Sequence, residues 1–599
     1  MTVTSAAEPD AEAEAAAAAA EEDLLLRVLS TLLREDVVGL LSRSTPVELP
    51  DGTWLRLDTP DGDALLLPVR SDGPRGFQCE TTARLPLLRR ASDGTDLTTA
   101  DTILTALASL ADPVDRGGFD AFADECRQAL AALRTHTATH GEITAGLAEQ
   151  HGCDPARWTG LAASAAFDTL AARLDHPVYP TSRGRSRLTG SQLHAYAPEF
   201  HPRFPLRWLA LPKEAVIVRG AASDDLWPLP SSLGLPRDLD RDHLAFPVHP
   251  LTVGEPLLNA LRATGLDDRA AIADLPYLDV VPTLSMRTVA VAAHPAVHLK
   301  LPLATSTLGL LNRRTVKPGT LTDGAACQRL LRTVVAREPR FQDTVLHADE
   351  THFAHAGHEL LAVLVRRYPA GLEGSVVVPM AALLSQSPGG RLVLDQLADR
   401  FYGGDPLALL DCALALLFDW QTTLFAHGIA LESHQQNVSL VLDETGGRTR
   451  LRLLLKDNDG PRINTARLRE TLGADAPDPA EFDDPRIFSD TDGPALDLFT
   501  TITVHLCAGA YAFALARHGR APLDRLLTLV RDRLDEAFER LGTRPGGPGA
   551  LLRAHVLQAP RLPVKAMVTA GTLLTKARSG ASDINKHYVT GPNYLLPGA

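Results

Sequence analysis

The sequence is poor in lysine, cysteine and methionine. Seven of its 59 basic residues are lysine, the other 52 being arginine. The six cysteines (Cys79, Cys126, Cys153, Cys327, Cys412 and Cys507) form no CxxC pair and no tight Cys/His spacing. That excludes a disulfide framework and a structural zinc site, and reads as the reduced thiols of a cytoplasmic protein. No run approaches the roughly 18 apolar residues of a membrane span, and no basic segment leads into an apolar one, so neither a membrane partner nor a secretion signal is expected. Acidic side chains outnumber basic ones, 73 to 59, for a net charge of −14. A nucleic-acid partner, which needs a basic face, is therefore not expected, although a local basic pocket for a small anion stays open. GxxxxGK[ST], GxGxxG after a strand, HExxH and GxSxG are all missing, which removes the standard nucleotide-loop, zinc-protease and serine-hydrolase readings.

What is present suits a large folded chain. At 599 residues, 45% of them hydrophobic, more than one core is expected. An Ala/Glu tail, helical or disordered, occupies 1–22, and helical spacing of leucine and valine follows over 22–41. Short strands are expected near 54–57 and 64–69, then helices over 97–175. This N-terminal region, 23–170, shows no concentration of chemically useful residues. The region 171–345 is dense in proline, histidine, arginine and β-like runs, and 346–599 turns largely helical. Helices are expected at 328–337, 359–367 and 407–425. His347, His352, His355 and His358 read as a solvated helix face, and Arg366 and Arg367 as packing or surface.

Two stretches carry the most chemistry. From His427 to Gly460 the chain reads HGIALESHQQNVSLVLDETGGRTRLRLLLKDNDG. Strands at 438–442 and 451–455 flank a Gly-Gly turn, so an antiparallel hairpin brings Asn437 and Lys456-Asp457 to one end. Glu432, His434 and Asp459 lie within a few residues of that end. Oxygen donors of this kind suit magnesium shared with nucleotide phosphates. From Pro282 to Gly319, strands at 285–291 and 297–303 around a His294-Pro295 turn contain Ser285, Arg287, His298 and Lys300, with Arg313 and Arg314 following. Cations in apolar strands must meet an anion, and arginine suits bidentate phosphate or carboxylate contacts. A third stretch, 175–200, could present His176, Thr181 and Arg183 to a ligand from a Pro/Gly loop.

In order, the phrases HPVYPTSRGR, YAPEF, FPVHP, PTLSMRT, HLK, ESHQQN, KDNDG and LPVKA resemble the siderophore synthetases that work without a peptide assembly line, the IucA/IucC type or NIS synthetases. The resemblance spans roughly 170–590. It implies an α+β, open-hand architecture of thumb, fingers and a distantly kinase-like palm, and usually a homodimer. It also implies ATP- and Mg2+-dependent adenylation of a carboxylic acid, typically citrate or a related polycarboxylate, and condensation with an amine, hydroxylamine or alcohol. Carried over by motif, Ser285, Arg287, Thr288, His298, Lys300, Arg313, Arg314, His434 and Asn437 would contact the nucleotide. His176, Thr181, Arg183, Arg314 and Lys565 would contact substrate, and Glu432, Asn437 and Asp457 the metal. Arg287, Lys300, His434 and His176 would be catalytic, either histidine being able to take a proton. The family's GHPxHP loop is altered here, reading DHPVYP at 175–180, and the run after Lys300 is longer, which leaves Arg313 against Arg314 open. Two rivals stand beside this reading. One is a kinase-like small-molecule phosphotransferase, with Glu432 where such an enzyme carries aspartate; the other is a non-catalytic ligand-binding member of the fold.

Overall fold

The computed structural model describes residues 8–220, 226–580 and 586–597. Of the expected Ala/Glu tail, 1–7 lie outside the described residues. From Glu8 to Arg34 the chain is one helix. Its leucines and valines (Leu25, Val28, Leu29, Leu32) pack with the helix Arg116–Ala138 and with Leu57, Leu65 and Leu67 of a six-stranded antiparallel sheet. This is the thumb. Strands at Gly52–Asp58 and Ala64–Ser71 and the helices after Ala100 agree with the sequence pattern.

The fingers are a nine-stranded sheet. Its main run is Phe204–Pro212, Tyr277–Pro282, Thr288–Val291, His294–Lys300, Ala362–Arg367, Asp349–His355 and Ile217–Arg219, each antiparallel to the next. Several expectations fail here. Residues 359–367 were expected to be helical, yet Ala362–Arg367 is a buried central strand. Likewise the histidine-rich run is not a helix face, since Asp349–His355 is a strand pairing with it. β-Branched valines and cross-strand partners override a spacing that also suits a helix. The hairpin turn lies at Ala292-Ala293, His294 already being paired with Val291. Two strands of the run, Ala362–Arg367 and Asp349–His355, come after position 345, where a division was expected.

The palm holds the largest core, around the helices Pro406–Ala426, Gly493–Leu498 and Leu523–Arg540. Packed on it is a four-stranded sheet containing the expected hairpin, Val438–Thr445 against Arg448–Leu455. Two helical runs, Pro406–Ala426 and Gly493–Arg517, are long and apolar enough to cross a membrane by length and composition, contrary to the expectation that none would be. Their most apolar windows are 67% and 94% buried inside the protein, so here they are core helices. The second contains a π-helical segment, Phe499–Gly509. All six cysteines are free thiols.

Candidate active site

Thumb, fingers and palm meet around a cavity of about 530 Å³, a size suited to a nucleotide or drug-sized ligand. One wall is apolar: Phe77 from the thumb, Ile502 and Leu506 from the π-helical segment, Phe513 after it, and Met567. The other walls are polar and fall into two unlike ends.

At the hairpin end, Lys456 N–H donates to the Asn437 carbonyl (3.1 Å), so the two chain ends meet as the pattern requires. Asp457 follows with φ 64°, a left-handed conformation uncommon for a non-glycine residue. It is held there by Glu350, whose carboxylate accepts the N–H of Asp457 (2.8 Å) and of Asn458 (3.2 Å). Glu350 also pairs with buried Arg366 (2.5 Å), which reaches Asp457 at 3.5 Å. Lys300, 4% exposed, bridges Asp457 (2.5 Å) and Asp459 (2.9 Å). Lys300 and the two guanidinium groups of Arg366 and Arg287 keep the Asp457 carboxyl far below its usual range despite burial. Glu432 is likewise held down to about 2, with Lys586 at 2.8 Å. Arg366 therefore belongs to the site's framework, and the expectation of mere packing or surface is corrected. Neither Glu350 nor Lys586 had been singled out as a partner.

The opposite end is cationic. In PTLSMRT, Met286 adopts φ 63° and turns the chain between Ser285 and Arg287, both of which line the cavity. Arg287 donates to the Thr315 carbonyl (2.6 Å), while its buried Nε has no partner. Arg314 lines the cavity and donates to the Ser285 carbonyl (3.2 Å). Burial and the neighbouring Arg287 push its pKa well below arginine's usual range. Arg185, which the sequence reading passed over, also lines the cavity; it pairs with Glu199 (2.9 Å), and its buried Nε is unpartnered. Arg313 pairs instead with Glu359 (2.5 Å), is 62% exposed and does not line the cavity. The choice between the two arginines falls on Arg314.

His176 and His434 both line the cavity. His176 Nδ1 accepts the N–H groups of Val178 (3.2 Å) and Tyr179 (3.1 Å), and His434 Nδ1 accepts that of Gln436 (3.3 Å). An imidazole that accepts at Nδ1 carries its proton on Nε2, which makes His176 a donor at that end; His434 Nε2 instead lies 3.4 Å from the Asn437 amide nitrogen. Burial lowers the two pKa values, to about 3 for His176, helped by His434 and Lys565, and to about 4 for His434. Rings of such low basicity suit contact with an anion better than taking a proton near neutral pH.

Four other expected contacts are committed elsewhere. Thr181 donates to buried Glu125 (3.2 Å), and Thr288 accepts from Ser285 Oγ (3.1 Å). His298 is buried against Tyr368, ring centroids 4.6 Å apart, behind the cavity wall. Arg183 borders the cavity but spends its donors on Asp175 (2.7 Å), His136 (2.7 Å) and the Arg173 carbonyl (2.6 Å), and so braces the loop. Lys565, Asn437 and Glu432 do line the cavity.

Among the described residues, no three His, Cys, Asp or Glu side chains form a ready cage. Charged Asp457 and Glu432 on the cavity wall suit a hard cation that takes most of its oxygens from phosphate and water.

The IucA / IucC family matches residues 165–385, and the "Ferric iron reductase FhuF-like transporter" family matches 408–579. The first match covers the fingers and both cationic loops; the second covers the palm's hairpin and the 565–573 segment. Over residues 165–385 the chain is thus similar to the IucA/IucC, or NIS synthetase, family. Staphyloferrin B synthase of Staphylococcus aureus is 23% identical over 322 residues, 49% of this chain and 53% of that protein. The chain thus aligns with about half the length of that curated relative. Petrobactin biosynthesis protein AsbB from Bacillus anthracis has the same fold, with TM-score 0.73 and 17% identity over 96% of this chain and 95% of that one. ATP-bound aerobactin synthetase IucA from Klebsiella pneumoniae matches with TM-score 0.67 and 20% identity over 96% and 99%.

Proposed function

We propose that this protein is an ATP-dependent siderophore synthetase. It joins a polycarboxylic acid, citrate being the leading candidate, to an amine, hydroxylamine or alcohol, with release of AMP and pyrophosphate. The observation that carries the reading is the juxtaposition in one cavity of internally neutralised carboxylates at Asp457 and Asp459 with the cations Arg287 and Arg314, for which no carboxylate partner is seen among the described residues. A nucleotide triphosphate with its metal needs the first, and a polyanionic acid needs the second. The synthetases named among the relatives, one of them ATP-bound, support it.

In the first half-reaction an acid carboxylate oxygen attacks the α-phosphorus and pyrophosphate leaves. In the second, the acceptor's lone pair attacks the acyl carbon, AMP leaves and the acceptor loses a proton. Charge grows on phosphoryl and carboxyl oxygens in both, so fixed cations and N–H donors are what the protein must supply. Arg287, Arg314 and the Nε2–H group of His176, with His434 beside them, hold the acid and the reacting phosphate. Lys300 keeps Asp457 ionised and holds Asp457 and Asp459 in place. Magnesium, held by Asp457 and Glu432 together with phosphate oxygens, would supply charge neutralisation and orient the triphosphate. The apolar wall excludes water, which would otherwise hydrolyse an acyl-adenylate.

The test is product analysis with ATP, Mg2+ and a panel of polycarboxylates and amines. AMP, pyrophosphate and a trapped hydroxamate are expected. ADP with a phosphorylated substrate would sink the synthetase reading in favour of a kinase.

A further inference from the structure

The thumb was expected to hold no chemistry, yet two of its carboxylates are buried deep in the junction with the other domains. Glu125, on the helix Arg116–Ala138, accepts hydroxyl protons from Tyr179 (2.8 Å), Thr181 (3.2 Å) and Thr572 (2.5 Å). The Thr572 hydroxyl in turn accepts the N–H of Leu310 (3.0 Å). Glu35, just past the helix Glu8–Arg34, accepts the N–H groups of Val568 (3.1 Å) and Thr569 (2.7 Å) and the Thr569 hydroxyl (2.8 Å). These partners belong to three segments that also line the cavity: the loop with His176, the loop with Asn312 and Arg314, and the stretch beginning at Lys565. The last two touch backbone to backbone. Gly309 has φ 115°, and a Cβ there would lie 2.9 Å from the Gly571 Cα.

A buried carboxylate is costly unless its oxygens are filled, and burial raises the pKa of both groups. A hydrophobic residue would serve packing better at either position. What a carboxylate offers is directional: several donors from separate chain segments gathered on one rigid group.

We propose that Glu125 and Glu35 are positioning residues, through which the thumb sets the placement of the cationic, acid- and acceptor-facing rim of the cavity. This rests on the synthetase reading for its kinetic consequence, though not for its structural one. The hairpin end, with Lys300 and Asp457, has none of these ties, so the nucleotide should be bound independently of them.

The two carboxylates should respond differently to amide replacement. Hydroxyl partners can turn and accept from an amide, so Glu125→Gln keeps much of its network. Backbone N–H groups cannot turn, so Glu35→Gln leaves a donor facing a donor and costs more.

The experiment is steady-state kinetics on the full-length protein carrying Glu125→Ala, Glu125→Gln, Glu35→Gln or Thr572→Val, with hydrogen–deuterium exchange on the same samples. Glu125→Ala should raise KM for acid and acceptor by about tenfold or more, since a misplacement of about 1 Å is enough for that, with KM for ATP changed less than about twofold. Exchange should rise in 305–314 and 565–573. Thr572→Val should do the same without removing a charge, which covers failure of the Ala variant to fold. An equal change in all three KM values, or a lower Tm with unchanged KM and unchanged exchange in those segments, would overturn the proposal. If the wild type forms no AMP, the synthetase reading falls, and the exchange data alone decide whether the thumb orders the rim.

Discussion

The two polar ends of the cavity have opposite electrostatic logic. At the hairpin end every named charge has an internal counter-charge: Lys300 between Asp457 and Asp459, Arg366 with Glu350, Glu432 with Lys586. Such a cluster is stiff and complete before any ligand arrives. At the other end Arg314 is depressed by its neighbour Arg287, and the Nε atoms of Arg287 and Arg185 are buried without partners. Neutral histidines border it. That end is costly as it stands, and an incoming polyanion relieves the cost. One end is built to hold geometry and the other to be completed by substrate.

The largest effect should come from unbalancing the stiff end. Glu350→Gln leaves Arg366 buried without its main counter-charge and weakens the left-handed turn at Asp457. Loss of one partner of a buried pair costs about 3–5 kcal/mol, read as a fall in the denaturant midpoint. A change below about 1 kcal/mol would mean that the cluster is not stiff. Lys300→Ala frees two carboxylates to repel each other and the triphosphate, and should lower kcat for AMP formation by about 10³. Near-normal turnover would remove Lys300 from the site.

At the open end, Arg314→Ala should raise KM for the acid and lower kcat/KM by about 10², whereas Arg313→Ala, one residue away and paired with Glu359, should stay within about twofold. Equal effects would erase the distinction drawn between them.

The smallest effect concerns pH. His434 and His176 fall from 6.5 to about 4 and about 3, so the unfolded chain binds more protons than the folded one. Their contribution to stability is complete above about pH 6.5 and is lost as pH drops towards those values, by about 1–2 kcal/mol after allowing for water in the cavity. Bound citrate should shrink that loss by giving the protonated rings a partner. Thermal denaturation between pH 7 and 4, with and without citrate, measures both; a larger loss with citrate would contradict the anion-binding role.

Much of the hairpin end could be read from the chain, because its parts are contiguous. A Gly-Gly turn between two apolar strands brings Asn437 and Asp457 together in any fold that keeps the hairpin. Two scarce lysines differ in this: Lys300 lies in a strand read from the pattern and bridges two carboxylates, whereas Lys586, which no motif marks, pairs with Glu432. Arg366 and Glu350 were missed because their run of valines and leucines reads as readily as a helix, and its partner strand looked like a histidine-studded surface. Glu35 and Glu125 were invisible for another reason. Glu125 stands in an amphipathic helix and Glu35 just past the end of one, where a glutamate ordinarily faces water, and no local spacing distinguishes that from one reaching another domain.

By itself the amino-acid sequence determined the α+β class, the hairpin and its acidic base, the strand that carries Lys300, and the cationic loops, because each depends on periodicity, turn chemistry or neighbours a few residues apart. Only the tertiary structure decided which cations were already satisfied and which remained open. It also separated Arg313 from Arg314, set the tautomer of His176 and brought the thumb's carboxylates to the rim. Those depend on burial and on partners from tens to hundreds of residues away, as with Glu35 and Val568, 533 positions apart. Desolvation and pairing, not residue type, set what a charged side chain does.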